Sequence, residues 1–346
     1  MGKDKAICTV MLGLLAVSFS TASVTEAAGS IADARQAVRA VAAVKDIEIH
    51  KQSQQGYVNG IKAYKAGDYQ SAVRYLSDNE VGGIYGNKRN YNLALGDSYY
   101  HQKVYDKAIG YLKRVYRLNG SDYYPVLSGL GNSYFFIKDY PHAIQYLSKA
   151  EGRSDALAED IWHLSMSYRG VKNDNQELII LNHLVDRFPK SGVEPYYRLG
   201  EIYASMGKFE EAFASYETGY REFPKEASFY YEAGHLAFTN GMYEDAVKYL
   251  VTVRDNLSSN LNLLHDLGFS YAYLGKLDNA GSVADAMVKI APNDERTAQL
   301  VDFVQQKQME RQLQIEQMDQ TSQIANDAAM AAIEQSMNTT IAQTMP

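Results

Sequence analysis

Cysteine is almost absent from this chain. The 346 residues include one cysteine, Cys8, which stands close to the start. A chain without further cysteine forms no internal disulfide, and it offers no thiolate as a nucleophile or metal ligand. Residues 28–346 therefore exclude disulfide-stapled folds, thiol enzymes and cysteine-based metal sites.

Sequence motifs of catalysis and cofactor binding are also missing. The seven histidines are scattered, and no two of them form a His-x-x-x-His pair. The sequence has no phosphate-binding glycine loop and no Gly-x-Ser-x-Gly elbow. We therefore expect a non-catalytic protein with no catalytic residues, no metal site and no cofactor.

The chain has no excess of positively charged residues. There are 34 lysines and arginines against 41 aspartates and glutamates, a net charge of −7. Proteins that bind nucleic acid concentrate positive charge on one face. We therefore expect no nucleic-acid partner.

Residues 1–27 predict a secretory signal peptide. An apolar run follows Lys3 and Lys5, and small residues follow the run. Cleavage fits after Ala22 or Ala27, and we favour the later site. The apolar run is shorter than the roughly 20 residues of a spanning helix, although an anchor that stays attached is the alternative. We expect an exported bacterial protein, periplasmic or extracellular, with no membrane span after cleavage.

The clearest structural pattern lies in residues 196–224 and predicts a helical hairpin. Apolar residues recur there at three- and four-residue steps, first before Gly207 and again after it. Glycine is the usual residue of a tight interhelical turn. The apolar positions are Tyr196, Leu199, Tyr203 and Met206, then Phe209, Ala212, Phe213, Tyr216 and Tyr220.

One hairpin cannot bury its own apolar face, and the pattern recurs at steps of 34 or 35 residues. A leucine column comprises Leu95, Leu130, Leu164, Leu199, Ala233 and Leu267. The turn column, eight residues later, comprises Lys103, Lys138, Lys172, Gly207, Gly241 and Gly275. A small-residue column comprises Ala108, Ala143, Ala212, Ala246 and Ala280, and only Glu177 breaks it.

This pattern resembles the tetratricopeptide repeat family, whose signature is W-x2-L-G-x2-Y, then A-x3-F, then P, over about 34 residues. Tyr196 stands at the tryptophan position, and Leu199, Gly200, Tyr203, Ala212, Tyr216 and Pro224 follow in order. The resemblance covers residues 53–293 as about seven repeats. It implies an all-α, right-handed superhelical solenoid of helical hairpins with N- and C-terminal capping helices.

The segments outside the repeats have their own predictions. Residues 28–52 predict a capping helix over the first repeat, or alternatively a partner-binding arm. Residues 77–89 contain three glycines and predict a loop. Residues 294–318 predict a capping or protruding helix, and the polar, Ala/Gln/Met-rich tail at 319–346 predicts weak helix or disorder.

The resemblance also implies a partner-binding groove. In this family the inner wall is lined by first-helix residues two and five positions after the leucine, and residues two before the leucine flank them. Carried over to this sequence, the candidate groove residues are Tyr64, Asp97, Tyr100, Asn132, Phe135, Trp162, Met166, Arg169, Tyr197, Glu201, Tyr231, His235, Phe238, His265 and Phe269.

An aromatic-lined groove suits an extended peptide or a partner helix. We therefore expect a non-catalytic scaffold or adaptor for a protein partner in the cell envelope. Some members of the family grip a C-terminal carboxylate with lysines and asparagines, for which only Asn132 and Arg169 are available here. Two alternatives stay open: a glycan-binding module of a polysaccharide export or cell-wall system, and a structural protein that forms a homo-oligomer through its C-terminal helix.

Overall fold

The computed structural model describes residues 31–119 and 123–344, so the predicted signal at residues 1–27 lies outside the described residues. Within them the chain forms sixteen α-helices and no β-strand. In chain order these are α1 (Ile31–Lys65), α2 (Tyr69–Leu76), α3 (Asn79–Tyr85), α4 (Arg89–His101), α5 (Tyr105–Asn119), α6 (Tyr124–Phe136), α7 (Tyr140–Glu151), α8 (Ala158–Gly170), α9 (Asp174–Arg187), α10 (Glu194–Ser205), α11 (Phe209–Glu222), α12 (Ser228–Thr239), α13 (Tyr243–Val253), α14 (Leu261–Tyr273), α15 (Leu277–Ile290) and α16 (Glu295–Thr344).

Fourteen of these helices form seven hairpins, which confirms the predicted all-α fold of repeated hairpins. We call α1, α4, α6, α8, α10, α12 and α14 the first helices, and α2, α5, α7, α9, α11, α13 and α15 the second helices. The chain divides into two compact units: unit 1 ends at Ile180 and unit 2 begins at Leu181, within α9.

The predicted turn column adopts a left-handed backbone throughout. The φ angles are 71° at Gly207, 73° at Gly241 and 70° at Gly275. Lys103 and Lys138, at the same position in unit 1, have φ angles of 60° and 64°. A residue that has a Cβ is strained at such a positive φ angle, because its Cβ approaches the following carbonyl oxygen. Each of these lysine turns therefore carries a local energetic cost.

Replacing Lys138 by glycine is expected to stabilise unit 1 by about 0.5–1 kcal/mol. Relief of left-handed strain contributes about 1–2 kcal/mol, and the greater freedom of glycine in the unfolded chain removes part of that gain. Urea unfolding followed by the fluorescence of Trp162, the single tryptophan, measures the change. Lys138→Ala is the control, since it removes the charge but keeps Cβ; an equal gain from alanine would contradict the strain argument.

The hairpins close because a small residue faces a large one. Ala108 and Ala143 are fully buried in their second helices, as the small-residue column predicts. Gly96 lies against Leu112, where an added Cβ would come 2.7 Å from Leu112 Cγ. A helix pair packs this closely only where one side lacks a side chain.

The predicted loop at residues 77–89 is wrong in part. Seven of its residues form the short helix α3, Asn79–Tyr85, and Val81 and Tyr85 are buried. Gly56 in α1 lies against Val81, so α3 packs on the first hairpin. Burial of these two apolar side chains offsets the low helix propensity of the glycines.

The terminal helices extend beyond the hairpins. Residues 33–52 of α1 are largely exposed and continue directly into the first repeat. In α16, Leu300 and Val304 are buried against the last hairpin, whereas the described side chains after residue 310 are exposed. Residues 319–344, for which the sequence predicted weak helix or disorder, continue α16 as helix. Among the described residues no helix is both long and apolar enough to cross a membrane.

Candidate functional site

The candidate groove residues lie on the first helices and divide between the two units. Unit 1 carries eight of them on α1, α4, α6 and α8, and unit 2 carries seven on α10, α12 and α14. Most are half-buried; Asn132 is buried and Glu201 is exposed. Each unit therefore presents its own first-helix face.

In unit 1 the aromatic residues of this face are linked ring to ring. Tyr69 stacks on His101 with ring centroids 4.0 Å apart, and Tyr105 stacks on Phe136 at 4.9 Å. We call the whole set the unit 1 aromatic row: Tyr64, Tyr69, Tyr100, His101, Tyr105, Phe135, Phe136, Tyr140 and His163. Phe136 remains 41% exposed, so the row is open to a partner.

Unit 2 has a corresponding cluster in which six rings close a circuit. Tyr243 stacks on Tyr273 at 4.5 Å, and Phe269 lies 5.1 Å from Phe303 of α16. The unit 2 aromatic row comprises Phe238, Tyr243, Tyr273, Phe303, Phe269 and His265, each within 6.3 Å of the next. Tyr273 is 50% exposed.

Several row residues were not among the sequence-predicted groove residues. Tyr69, Tyr105 and Tyr243 each begin a second helix and stack on the last residue of the next first helix. Tyr140 begins α7 in the same way, and Gly170 at the end of α8 lies against its ring. A sequence signal does exist, because an aromatic residue recurs three positions before the small-residue column.

Asn132 is held in a buried polar network in unit 1. The Asp160 carboxylate, 1% exposed, accepts hydrogen bonds from Tyr124 Oη at 2.6 Å, Ser128 Oγ at 2.9 Å and Asn132 Nδ2 at 2.7 Å. Asn132 Oδ1 lies 2.8 Å from His163 Nδ1, which therefore donates to it. Burial lowers the pKa of His163, opposed by the nearby acidic residues.

A second polar cluster lies in unit 2 around the buried Asp266. His235 Nδ1 is 2.7 Å from one oxygen of the carboxylate, and His265 Nδ1 is 2.9 Å from the other. Both imidazoles donate, since an ionised carboxylate only accepts. His265 contacts Phe238 and Phe269, so Asp266 orients one member of the unit 2 aromatic row.

Asn132 and Arg169, the two residues that could bind the C-terminal carboxylate of a partner, both contact other residues of the chain. Asn132 bonds to Asp160 and His163 as described, and Arg169 Nε lies 2.8 Å from Glu177 Oε1. Glu177, the residue that breaks the small-residue column, is fully buried. The guanidinium of Arg169 also lies 6.0 Å from the ring centre of Trp162. These contacts disfavour binding of a C-terminal carboxylate by Asn132 and Arg169, because the ligand would have to displace them.

Between α10 and α12 the unit 2 face is acidic. Glu232 is half-buried, and burial followed by the charge of Glu201 raises its pKa, while His235 opposes the shift. Beside it, Tyr197 stacks on Phe229 at 4.2 Å, and burial raises the pKa of Tyr197 to about 12. This part of the face thus combines carboxylates with tyrosine rings.

Of the remaining candidates, Tyr64 has a raised pKa, chiefly because its ring is partly buried and also because the Asp97 carboxylate lies nearby. The ring of Tyr231 lies 5.9 Å from that of His235. Met166 is half-buried on α8. In the described ranges, no group of three or more His, Asp or Glu side chains is placed to hold a metal ion. The arrangement can bury apolar side chains and pair with polar groups at their edges.

Comparison with known proteins finds a family match in each of the two units. The tetratricopeptide repeat family matches residues 57–123 and residues 197–260. A crystal structure of MamA protein is 21% identical, with a TM-score of 0.45 over 52% of this chain and 96% of that chain. A tetratricopeptide repeat protein from Parabacteroides merdae ATCC 43184 is 14% identical, with a TM-score of 0.42 over 74% of this chain and 99% of that chain. No curated protein matches the sequence.

Proposed function

We propose that this chain, which carries tetratricopeptide repeats in both of its units, is a non-catalytic scaffold that binds a protein partner on its first-helix faces. The single observation that carries the proposal is the pair of aromatic rows. Rings that remain partly exposed while packed against one another form a preorganised apolar surface, and such surfaces are common in peptide recognition. Each apolar side chain that a partner buries there contributes about 1.5–3 kcal/mol.

The partner best suited to such a face is an extended peptide or a single amphipathic helix. The rings occupy the ends of successive first helices, and neighbouring packed helices lie about 8–10 Å apart. An amphipathic helix or an extended strand presents apolar side chains along one face, so that a segment of sufficient length can contact the rings of successive first helices. Together with the predicted signal peptide, this supports an adaptor role in the cell envelope or outside the cell.

Replacing Phe135 or Phe238 by alanine is expected to weaken partner capture by at least about tenfold, because each ring belongs to a row. The full chain with a photoreactive residue at the exposed Tyr273 would first be crosslinked in native envelopes, and the partner identified by mass spectrometry. Capture of that partner by each variant would then be measured, with helical content checked by circular dichroism.

Matched controls remove an exposed apolar side chain elsewhere in the same unit. Leu118→Ala in α5 and Val251→Ala in α13 change side chains that are 55% and 45% exposed and lie outside the rows. Unchanged capture by both phenylalanine variants would refute the first-helix faces as the binding surface. Crosslinks only between copies of the chain would favour the self-assembling alternative, and retardation by soluble polysaccharide without protein crosslinks would favour the glycan-binding one.

A further inference from the structure

The part of α1 that extends beyond the first hairpin carries a line of side chains at alternating steps of four and three residues. Such steps return to the same side of a helix, so these side chains share one face. We call this line the α1 stripe, and its members are Asp33, Ala37, Ala40, Val44, Ile47 and Lys51. Val44 is 42% exposed and Ile47 is 69% exposed, so the apolar middle of the stripe is open to solvent.

The repeats leave the α1 stripe uncovered. Among the described residues of α1, the buried ones are Ser53 and Gly60, which both follow the stripe. Val58, which continues the spacing of the stripe, is 51% exposed, so the stripe and the hairpin core lie on different sides of the helix. A helix of about five turns is only marginally stable in water without tertiary contacts. Residues 33–51 therefore gain stability from a further helix packed along the stripe.

The stripe is complementary to itself when it is read in the opposite direction. Two copies of α1 that run antiparallel about a two-fold axis at residue 42 bring its members together in three kinds of pair. Each pair joins one copy to the other, and the pairs are Asp33 with Lys51, Ala37 with Ile47 and Ala40 with Val44. An acidic residue thus faces a basic one, and a small residue faces a large one, as in well-packed helix pairs.

A parallel pair lacks both kinds of match. In register, it places Asp33 against Asp33 and Lys51 against Lys51, and like charges repel each other. It also places Ala37 against Ala37, where two small side chains leave space unfilled. Charge and size therefore both select the antiparallel arrangement with a second copy.

We propose that a second copy of this chain docks on the α1 stripe and forms an antiparallel, two-fold symmetric pair of α1 helices. Residues 33–51 span about 27 Å of helix at 1.5 Å per residue, so the two sets of repeats begin at opposite ends of the pair. The aromatic rows take no part in this contact, and the dimer presents two copies of each row. Linked binding faces raise the apparent affinity for a repeated partner. The pairing itself does not depend on the scaffold function.

Sedimentation equilibrium of the full chain tests the pairing between about 1 μM and about 100 μM, since a small interface gives weak affinity. We expect monomer and dimer in equilibrium, with a dissociation constant of about 10 μM. Val44→Gln with Ile47→Gln is expected to leave a monomer at every concentration, because neither side chain is buried within one chain and both fill the pair interface. Circular dichroism confirms that helical content is kept.

The matched control is Val38→Gln. Val38 lies on the same segment of α1 and is 41% exposed, but it does not belong to the stripe. This variant makes the same change from valine to glutamine as the Val44 substitution. It is expected to dimerise as the wild type does.

Reversal of charge tests the antiparallel register. Lys51→Asp places two pairs of like charge in each dimer and is expected to raise the dissociation constant about tenfold. Asp33→Lys added to Lys51→Asp restores opposite charges and is expected to return the dissociation constant to within about twofold of the wild type. A parallel pair or an unrelated surface does not produce this recovery.

The proposal is overturned if the wild-type chain stays monomeric at the highest concentration. It is also overturned if the variant at Val44 and Ile47 dimerises as the wild type does, which would assign the association to another surface, such as the exposed end of α16. A Lys51→Asp variant with an unchanged dissociation constant, or a double reversal without recovery, would refute the antiparallel register. The scaffold function is judged separately, by capture of the native partner in the Phe135→Ala and Phe238→Ala variants.

Discussion

Replacing Asp160 by alanine is expected to lower the free energy of unfolding of unit 1 by about 4 kcal/mol. The substitution removes the acceptor of three hydrogen bonds, from Tyr124, Ser128 and Asn132. Asn132 and the Asp160 carboxylate are almost fully buried. A buried donor left without an acceptor costs about 1–3 kcal/mol, and a lost bond to a charged group belongs at the upper end of that range. Urea unfolding measured by Trp162 fluorescence reports the change, since Trp162 lies in the same helix as Asp160.

Two further variants show whether the network is the cause. Asp155→Ala removes an exposed carboxylate that pairs with Arg153 at 2.8 Å, and exposed pairs contribute at most about 1 kcal/mol. Tyr124→Phe removes one of the three donors, and it is expected to cost about 2 kcal/mol because the lost bond is to a charged group. An Asp160→Ala variant as stable as Asp155→Ala would show that the three donors find another acceptor.

Replacing Gly200 by alanine is expected to destabilise unit 2 by about 3 kcal/mol. An added Cβ would stand 2.5 Å from Cε1 and 2.9 Å from Cε2 of Tyr216. Tyr216 is 5% exposed, so its ring has no free space into which it can move. Overpacking of a core costs about 1–3 kcal/mol, and the upper value applies where the neighbour is a rigid ring. Hydrogen exchange of peptides from α10 and α11 measures the loss of stability.

Gly281→Ala provides the control within unit 2. Gly281 lies inside α15, where the nearest atom to an added Cβ is Gln308 Nε2 at 3.9 Å. Alanine is therefore accommodated, and its higher helix propensity is expected to stabilise the chain by about 0.5–1 kcal/mol. If both glycine variants had the same effect, backbone propensity and not packing would determine stability at Gly200.

The sequence identified the reason for glycine at this position only in part. A glycine on the packing face of a helix indicates only that a neighbouring group comes close there. In the structure the space is occupied by the side chain of Tyr216, and at Gly96 it is occupied by the side chain of Leu112. Spacing along one helix shows that a small residue is needed, but the group that fills the space belongs to the next helix.

The same limit applies to the candidate site. The sequence placed Phe135, Phe238 and Phe269 on the first helices, and each belongs to an aromatic row. It also offered Asn132 as a possible ligand group, whereas both ends of that amide are bonded to Asp160 and His163. Whether a polar side chain is free depends on partners about 30 residues away, and no single-helix pattern shows them.

The sequence by itself determined the hairpins, their period and their turns, because these depend on local physical chemistry: three- and four-residue apolar spacing, small residues at close contacts, and a left-handed residue at each turn. The left-handed lysines Lys103 and Lys138 lie where the turn column placed them. Only the tertiary structure decided which side chains meet between repeats. These contacts are between residues 31 positions apart, such as His235 and Asp266. They form only when successive first helices pack side by side.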